Sequence, residues 1–141
     1  MDAVEDGQRH LPPFFERCNI GAAASNRVEV IFEEIVSNAV RHGFEANSGQ
    51  TMHVWVSARP QAVELRFEDD GVPFNPVERA APSPFQSLET APLGGLGIDL
   101  VKKLAASMRY ERLPGAPYSA SAPGQAFAPS NHLIVTVSTL R

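Results

Sequence analysis

Read from Arg27, the apolar residues Val28, Ile31, Phe32, Ile35, Val36, Ala39 and Val40 recur at the three- and four-residue spacing of a helix with one buried stripe. The spacing predicts a helix over about 26–42. Ser25 or Asn26 can cap its start, and Gly43 can end it in a left-handed turn. Ahead of it, residues 21–24 read as a small-residue connector and residues 1–10 as a loose terminus. Between them, a short helix is predicted over 13–18, where Pro12 and Pro13 are tolerated at a helix start.

After a polar turn at Asn47, Ser48 and Gly49 the period changes from 3.6 to 2. Residues 51–57 are rich in β-formers. Over 62–68, Val63, Leu65 and Phe67 alternate with Glu64, Arg66 and Glu68. A short turn at Arg59, Pro60 and Gln61 makes the two runs an antiparallel hairpin with one packed and one wetted face. From 75 to 93 the prolines at 76, 82, 84 and 92 leave no sustained period, and the stretch reads as a long loop of the kind that serves as a lid. A second helix opens at Gly94-Gly95-Leu96-Gly97. Its apolar positions are Ile98, Leu100, Val101, Leu104, Ala105 and Met108, with Lys102, Lys103 and Arg109 toward its middle and end. A short strand over 110–113 is expected next, then an exposed excursion rich in Pro, Gly, Ala and Ser over 114–130. A last strand over 133–138 would complete the sheet.

Composition adds bounds. The chain has 141 residues, 43% of them hydrophobic and 20% charged, which suits one domain over 1–141. A formal net charge of −4 gives no support to a general nucleic-acid surface, so any phosphate binding must use local donors. The single cysteine, Cys18, reads as a small apolar side chain and fits a reducing compartment. No apolar run approaches the ~20 residues of a membrane span, and the first residues are polar and acidic; the expectation is a cytoplasmic protein away from membranes.

Three pieces of the chain carry chemistry. Glu34 and Asn38 stack one turn apart on the first long helix, with Arg41 or His42 a turn later. A carboxylate can take a proton from a hydroxyl, and an amide oxygen suits Mg²⁺. Asp69 and Gly71 lie where a strand stops. There a carboxylate can accept from an exocyclic amine, and glycine lets the backbone approach a flat ring. Gly94, Gly95 and Gly97 open a helix, whose backbone N–H groups and positive end suit phosphate oxygens. Taken singly, these are more often a solvated helix face, an Asp-Gly turn and a flexible linker. Neither a dinucleotide G-x-G-x-x-G order nor a P-loop is present, and the four histidines show no metal-ligand spacing. Lys102 reads as part of a solvated face.

The order of the three pieces makes the combination specific. The phrase E-x-x-x-N-A-x-x-H-G over 34–43, then D-x-G-x-P-F-x-P over 69–76, then G-G-L-G over 94–97 resembles the GHKL (Bergerat-fold) ATP-binding domains. It is most similar to their anti-sigma-factor serine/threonine kinase branch, of the RsbW and SpoIIAB type. The likeness covers about 25–112 and resumes over 131–137. It implies an α+β fold: a two-layer α/β sandwich, with a mixed, mostly antiparallel sheet carrying helices on one face. It implies ATP and Mg²⁺, with Asn38 as metal ligand and Glu34 as catalytic base. Asp69 would hold the adenine amine, Gly71 would lie beside the ring, and Gly95 and Gly97 along the phosphates. Arg41, His42, Phe74, Gly94, Leu96 and Ile98 complete the implied nucleotide site. The implied activity is phosphorylation of a serine on a STAS-type anti-anti-sigma protein that competes with a sigma factor, and a homodimer through the sheet would also resemble the family. The alternative is a nucleotide-gated anti-sigma binding module without phosphotransfer. Only about 25 residues precede the first long helix, fewer than the branch has, and the stretch between Tyr110 and Asn131 is longer.

Overall fold

Val63, Leu65 and Phe67 bury on one side of their strand while Arg66 stays exposed, and that alternation orients a whole sheet. The computed structural model describes residues 3–40, 52–70, 95–113 and 130–140. Its elements in chain order are α1 (Ala3–Gln8), α2 (Leu11–Arg17), α3 (Ala22–Asn38), β1 (Met52–Arg59), β2 (Ala62–Asp69), α4 (Gly95–Leu104), β3 (Ser107–Leu113) and β4 (Ser130–Ser138). The strands form one four-stranded sheet in the order β1-β2-β4-β3, and each described pairing is antiparallel.

The β1–β2 hairpin turns through Pro60 and Gln61, with Arg59 opposite Ala62 and Met52 opposite Asp69. Gln61 accepts a left-handed φ of 62° to close it. β4 then pairs with β2, placing Asn131 opposite Asp69 and Val135 opposite Leu65. The inward residues Val63, Leu65, Phe67, Leu133, Val135 and Val137 meet Val28, Ile31, Phe32, Ile35 and Val36 of α3 and Ile98 and Val101 of α4 in one core. The other sheet face carries polar and aromatic groups: Trp55 is 48% exposed, with the Arg66 guanidinium 6.0 Å from its ring centre. Helices thus cover a single face, as the alternation requires.

Four expectations need correction. Residues 3–8 form a helix and not a loose end. Acidic Glu5 and Asp6 in its first turn suit the helix dipole, and Gly7 lies directly against the ring of Phe32. Residues 22–24 belong to α3 and are not a connector. Gly21 in extended geometry caps the helix and no side chain does; Ser25 is inside it, its hydroxyl donating to the Ile20 carbonyl at 3.4 Å. Alanines are strong helix formers, and Ala24 buries. The second helix stops at Leu104. Met108 and Arg109 belong to β3, because Met108 and Tyr110 alternate inward as well as they fit a helical stripe. Ala106 N–H already donates to Thr136 O at 2.7 Å, turning the chain from helix to sheet within two residues. Ser130 opens β4 and does not close the preceding excursion.

α2 begins two residues earlier than expected, at Leu11, and ends in a Schellman closure. Asn19 takes φ 54°, Asn19 N–H donates to Glu16 O and Ile20 N–H to Phe15 O. Arg27 then ties the start of α3 to the end of β4 through the Ser138 carbonyl at 2.8 Å. Among the described residues no helix is long and apolar enough to cross a membrane. The expected stop at Gly43, the turn at 47–49, the lid over 75–93 and the excursion over 114–129 lie outside the described residues.

The Gly7–Phe32 contact yields a prediction. A Cβ at Gly7 would overlap the ring of Phe32, which is 4% exposed. Gly7→Ala should therefore lower stability by about 1–3 kcal/mol in urea unfolding, although alanine is the better helix former. An increase in stability would mean that α1 does not rest on α3.

Candidate functional site

Asn38 is the last residue of α3, on a face that is otherwise apolar, and it is carried into the protein by the stripe it interrupts. It is 5% exposed, and its Oδ1 has no hydrogen-bond partner among the described residues. Leaving such an oxygen unpaired costs about 1–3 kcal/mol, so a ligand for it is the expected complement. Beyond it the helix widens into a π-type turn at 39–40, a distortion common beside functional groups.

Asp69 is the last residue of β2, on the inward face that Val63, Leu65 and Phe67 define. Asn38 and Asp69 open onto the same cleft, of about 40 Å³, together with Ile98 of α4, Phe67, and Tyr110 and Asn131 from the far strands. A larger hollow of about 560 Å³ lies on the other side of α3, against Phe14, Arg17 and Val54, and is lined by none of the residues flagged from sequence.

Glu34, one turn before Asn38, is not in the lining of the cleft. It reaches across to α4, where a Cβ on Gly97 would lie 3.0 Å from Glu34 Cδ and closer still to Oε2. Glycine at 97 is thus what lets the carboxylate sit against the first turn of α4. Gly95 and Leu96 open that turn. Arg41, His42, Gly71, Phe74 and Gly94 lie outside the described residues.

Sequence reasoning did not place Asn131 or Tyr110 in the site. Asn131 is 5% exposed, and its Nδ2 donates to Asp69 Oδ1 at 2.9 Å. Its Oδ1 accepts from the Tyr110 hydroxyl and from Arg112 at 2.9 Å. A polar residue immediately before the apolar run of β4 was the available signal. His132, next in the strand, is also buried; Ser130 Oγ lies 2.8 Å from its Nε2, and Glu68 lies 3.6 Å from its Nδ1.

The donor set can be tested against a metal. Among the described residues no cluster of three His, Cys, Asp or Glu side chains could cage a cation. A single buried amide oxygen without a partner fits Mg²⁺, which keeps waters and phosphate oxygens as its remaining ligands.

With this geometry in view, comparison with known proteins is informative. The histidine kinase-like ATPase domain family matches residues 6–117, and the chain belongs to that family. The family is one of ATP-using domains, which makes ATP the nucleotide to consider for the cleft. The chain is similar to the serine/threonine-protein kinase BtrW of Bordetella bronchiseptica (strain ATCC BAA-588 / NCTC 13252 / RB50), at 26% identity over 83 residues, 59% of this chain and 58% of that protein. It is also similar to the anti-sigma F factor of Priestia megaterium, at 25% identity over 85 residues, 60% of this chain and 58% of that protein. The matches thus span less than two thirds of the length of these curated relatives. A histidine kinase domain from the Erythrobacter litoralis EL346 blue-light activated histidine kinase aligns with a TM-score of 0.45 and 15% identity, over 83% of this chain and 45% of that one.

Asp69→Asn tests the cleft. An amide at 69 turns one of the two carboxylate oxygens into a donor and leaves a single, neutral acceptor for Asn131 and a ligand amine to share. Saturating ATP with Mg²⁺ should stabilise the wild-type protein by ~2–4 kcal/mol in thermal melts, and the variant should lose most of that gain. Equal shifts in the two proteins would place the base elsewhere.

Proposed function

We propose that the chain is an ATP- and Mg²⁺-dependent protein serine kinase of a partner-switching system, acting in the cytoplasm. The observation that carries this reading is the convergence of Asn38 and Asp69, from a helix end and a strand end, on one cleft. Asp69 would accept the adenine amine at one end, and Asn38 would offer its unpartnered oxygen to the metal at the other. Gly95 and Gly97, in the first turn of α4, would bring backbone N–H groups to the phosphates. Arg41, His42, Gly71, Phe74, Gly94, Leu96 and Ile98 are proposed as the rest of the nucleotide's surroundings, Ile98 being on the cleft.

Glu34 is the proposed base. It would take the proton from a serine hydroxyl as that oxygen bonds to the γ-phosphorus and the bond to the bridging oxygen breaks, leaving ADP. Bound Mg²⁺ would supply charge neutralisation on the phosphates. What the chain contributes is positioning: Asn38 and Glu34 are on one rigid helix, fixed by the core beneath it. The similarity to proteins named serine/threonine-protein kinase and anti-sigma F factor supports a STAS-type anti-anti-sigma protein as the phosphoacceptor and a sigma factor as its competitor. A homodimer through the open sheet face is proposed with them.

One observation favours a second reading, a nucleotide-gated binding module without transfer. Glu34 rests against Gly97 and does not line the cleft that Asn38 and Asp69 share, so the proposed base is absent from that cleft.

Labelled ATP and a candidate STAS-type protein separate the two. For a kinase, Glu34→Gln should cut label transfer by about 10²–10⁴-fold with ATP affinity unchanged. Nucleotide binding with no transfer in the wild type would select the binding module. Gly97→Ala adds a finer prediction. Its methyl displaces only the flexible end of Glu34, so the melting temperature should stay within a few degrees while transfer falls. Unimpaired transfer in Gly97→Ala would show that the seat of Glu34 on α4 has no role in the reaction.

A further inference from the structure

At the cleft end of the sheet, three strands contribute one row of side chains. Asp69 on β2 stands opposite Asn131 on β4, which stands opposite Arg112 on β3. Their hydrogen bonds run in one direction. Arg112 Nη1 and the Tyr110 hydroxyl donate to Asn131 Oδ1, and Asn131 Nδ2 donates to Asp69 Oδ1. The direction is chemically enforced. A guanidinium has donors only, so the amide oxygen must face Arg112 and the amide nitrogen must face Asp69. A flipped amide would set donor against donor on one side and oxygen against carboxylate on the other. Asn131 is 5% exposed, which limits water as a substitute.

We propose that Arg112, Tyr110 and Asn131 are a positioning relay that holds the acceptor oxygens of Asp69 in one orientation, and so sharpens the cleft's preference for purines with an amine at C6 over purines with a carbonyl there. The inference rests on the nucleotide reading above. Tyr110 and Asn131 line the cleft beside Asp69, whereas Arg112 is absent from its lining and acts on the base through Asn131. An acceptor held in this way pairs with the amine of adenine and opposes the carbonyl oxygen of hypoxanthine, leaving two acceptors face to face. Without the relay the carboxylate loses the Asn131 hydrogen bond that orients it, and the discrimination weakens even though Asp69 remains.

The test is the ratio of ATP to ITP affinity, measured by calorimetry with Mg²⁺ on the full chain. ITP carries hypoxanthine. The wild type should prefer ATP by about tenfold or more. Arg112→Met and Asn131→Ala should each lower that ratio several-fold, by weakening ATP and leaving ITP unchanged. Asn131→Ser, which keeps a donor toward Asp69, should recover part of it. A purely structural role would weaken both nucleotides together and leave the ratio alone. Arg112→Met leaves the amide in place, so it decides the matter should Asn131→Ala fail to fold. A folded Arg112→Met protein with the wild-type ratio overturns the relay while leaving the base pocket standing. A wild type that binds ATP and ITP alike, or neither, overturns the base pocket and the relay with it.

Discussion

The rotation of α3 about its own axis is the constraint on which the site depends. Val28, Ile31, Phe32, Ile35 and Val36 all bury against the sheet, each contributing roughly 1.5–3 kcal/mol. Together they outweigh the ~1–3 kcal/mol cost of burying the Asn38 oxygen, which has no partner among the described residues. The helix therefore cannot turn to give Asn38 to water without lifting its whole stripe. Glu34, one turn back, is carried with it to α4. The core thus holds two polar groups in place.

The sheet supplies a matching constraint. Side chains alternate between its faces, so a slip of one residue in β2 or β4 would send Asp69 or Asn131 to the open side. The hairpin at Pro60 and Gln61 fixes β1 on β2. The apolar residues of β4 do the same for that strand: Leu133, Val135 and Val137 are buried beside Phe67, Leu65 and Val63. Register chosen by apolar burial in the middle of the strands thereby decides which polar groups meet at their ends. Asp69, Asn131 and Arg112 fall into one row for that reason.

Much of this was legible from the residues. The 3.6 period gave α3 and the start of α4, and strict alternation gave the hairpin and its buried face. Spacing placed Glu34 and Asn38 on one side of a helix, and the motif order pointed to the histidine kinase-like ATPase family that the chain belongs to. What escaped depends on contacts between distant parts of the chain. α1 is polar and short, and its rest on Phe32 needs a glycine whose partner lies 25 positions away. Met108 fits both a helical and an alternating pattern, and only the pairing of β3 with β4 decides between them. Asn131 belongs to the site through its register opposite Asp69, a fact of the sheet and not of any local motif.

The central claim is that a helix end and a strand end form one ligand site through Asn38 and Asp69. Side-chain amide NMR tests it most directly, because Asn38 and Asn131 each carry an observable NH₂ group in the cleft. On titration with a non-hydrolysable ATP analogue and Mg²⁺, both amides should shift together along one saturation curve. Stationary amides, with the shifts gathered instead around Phe14, Arg17 and Val54 on the other side of α3, would contradict the account.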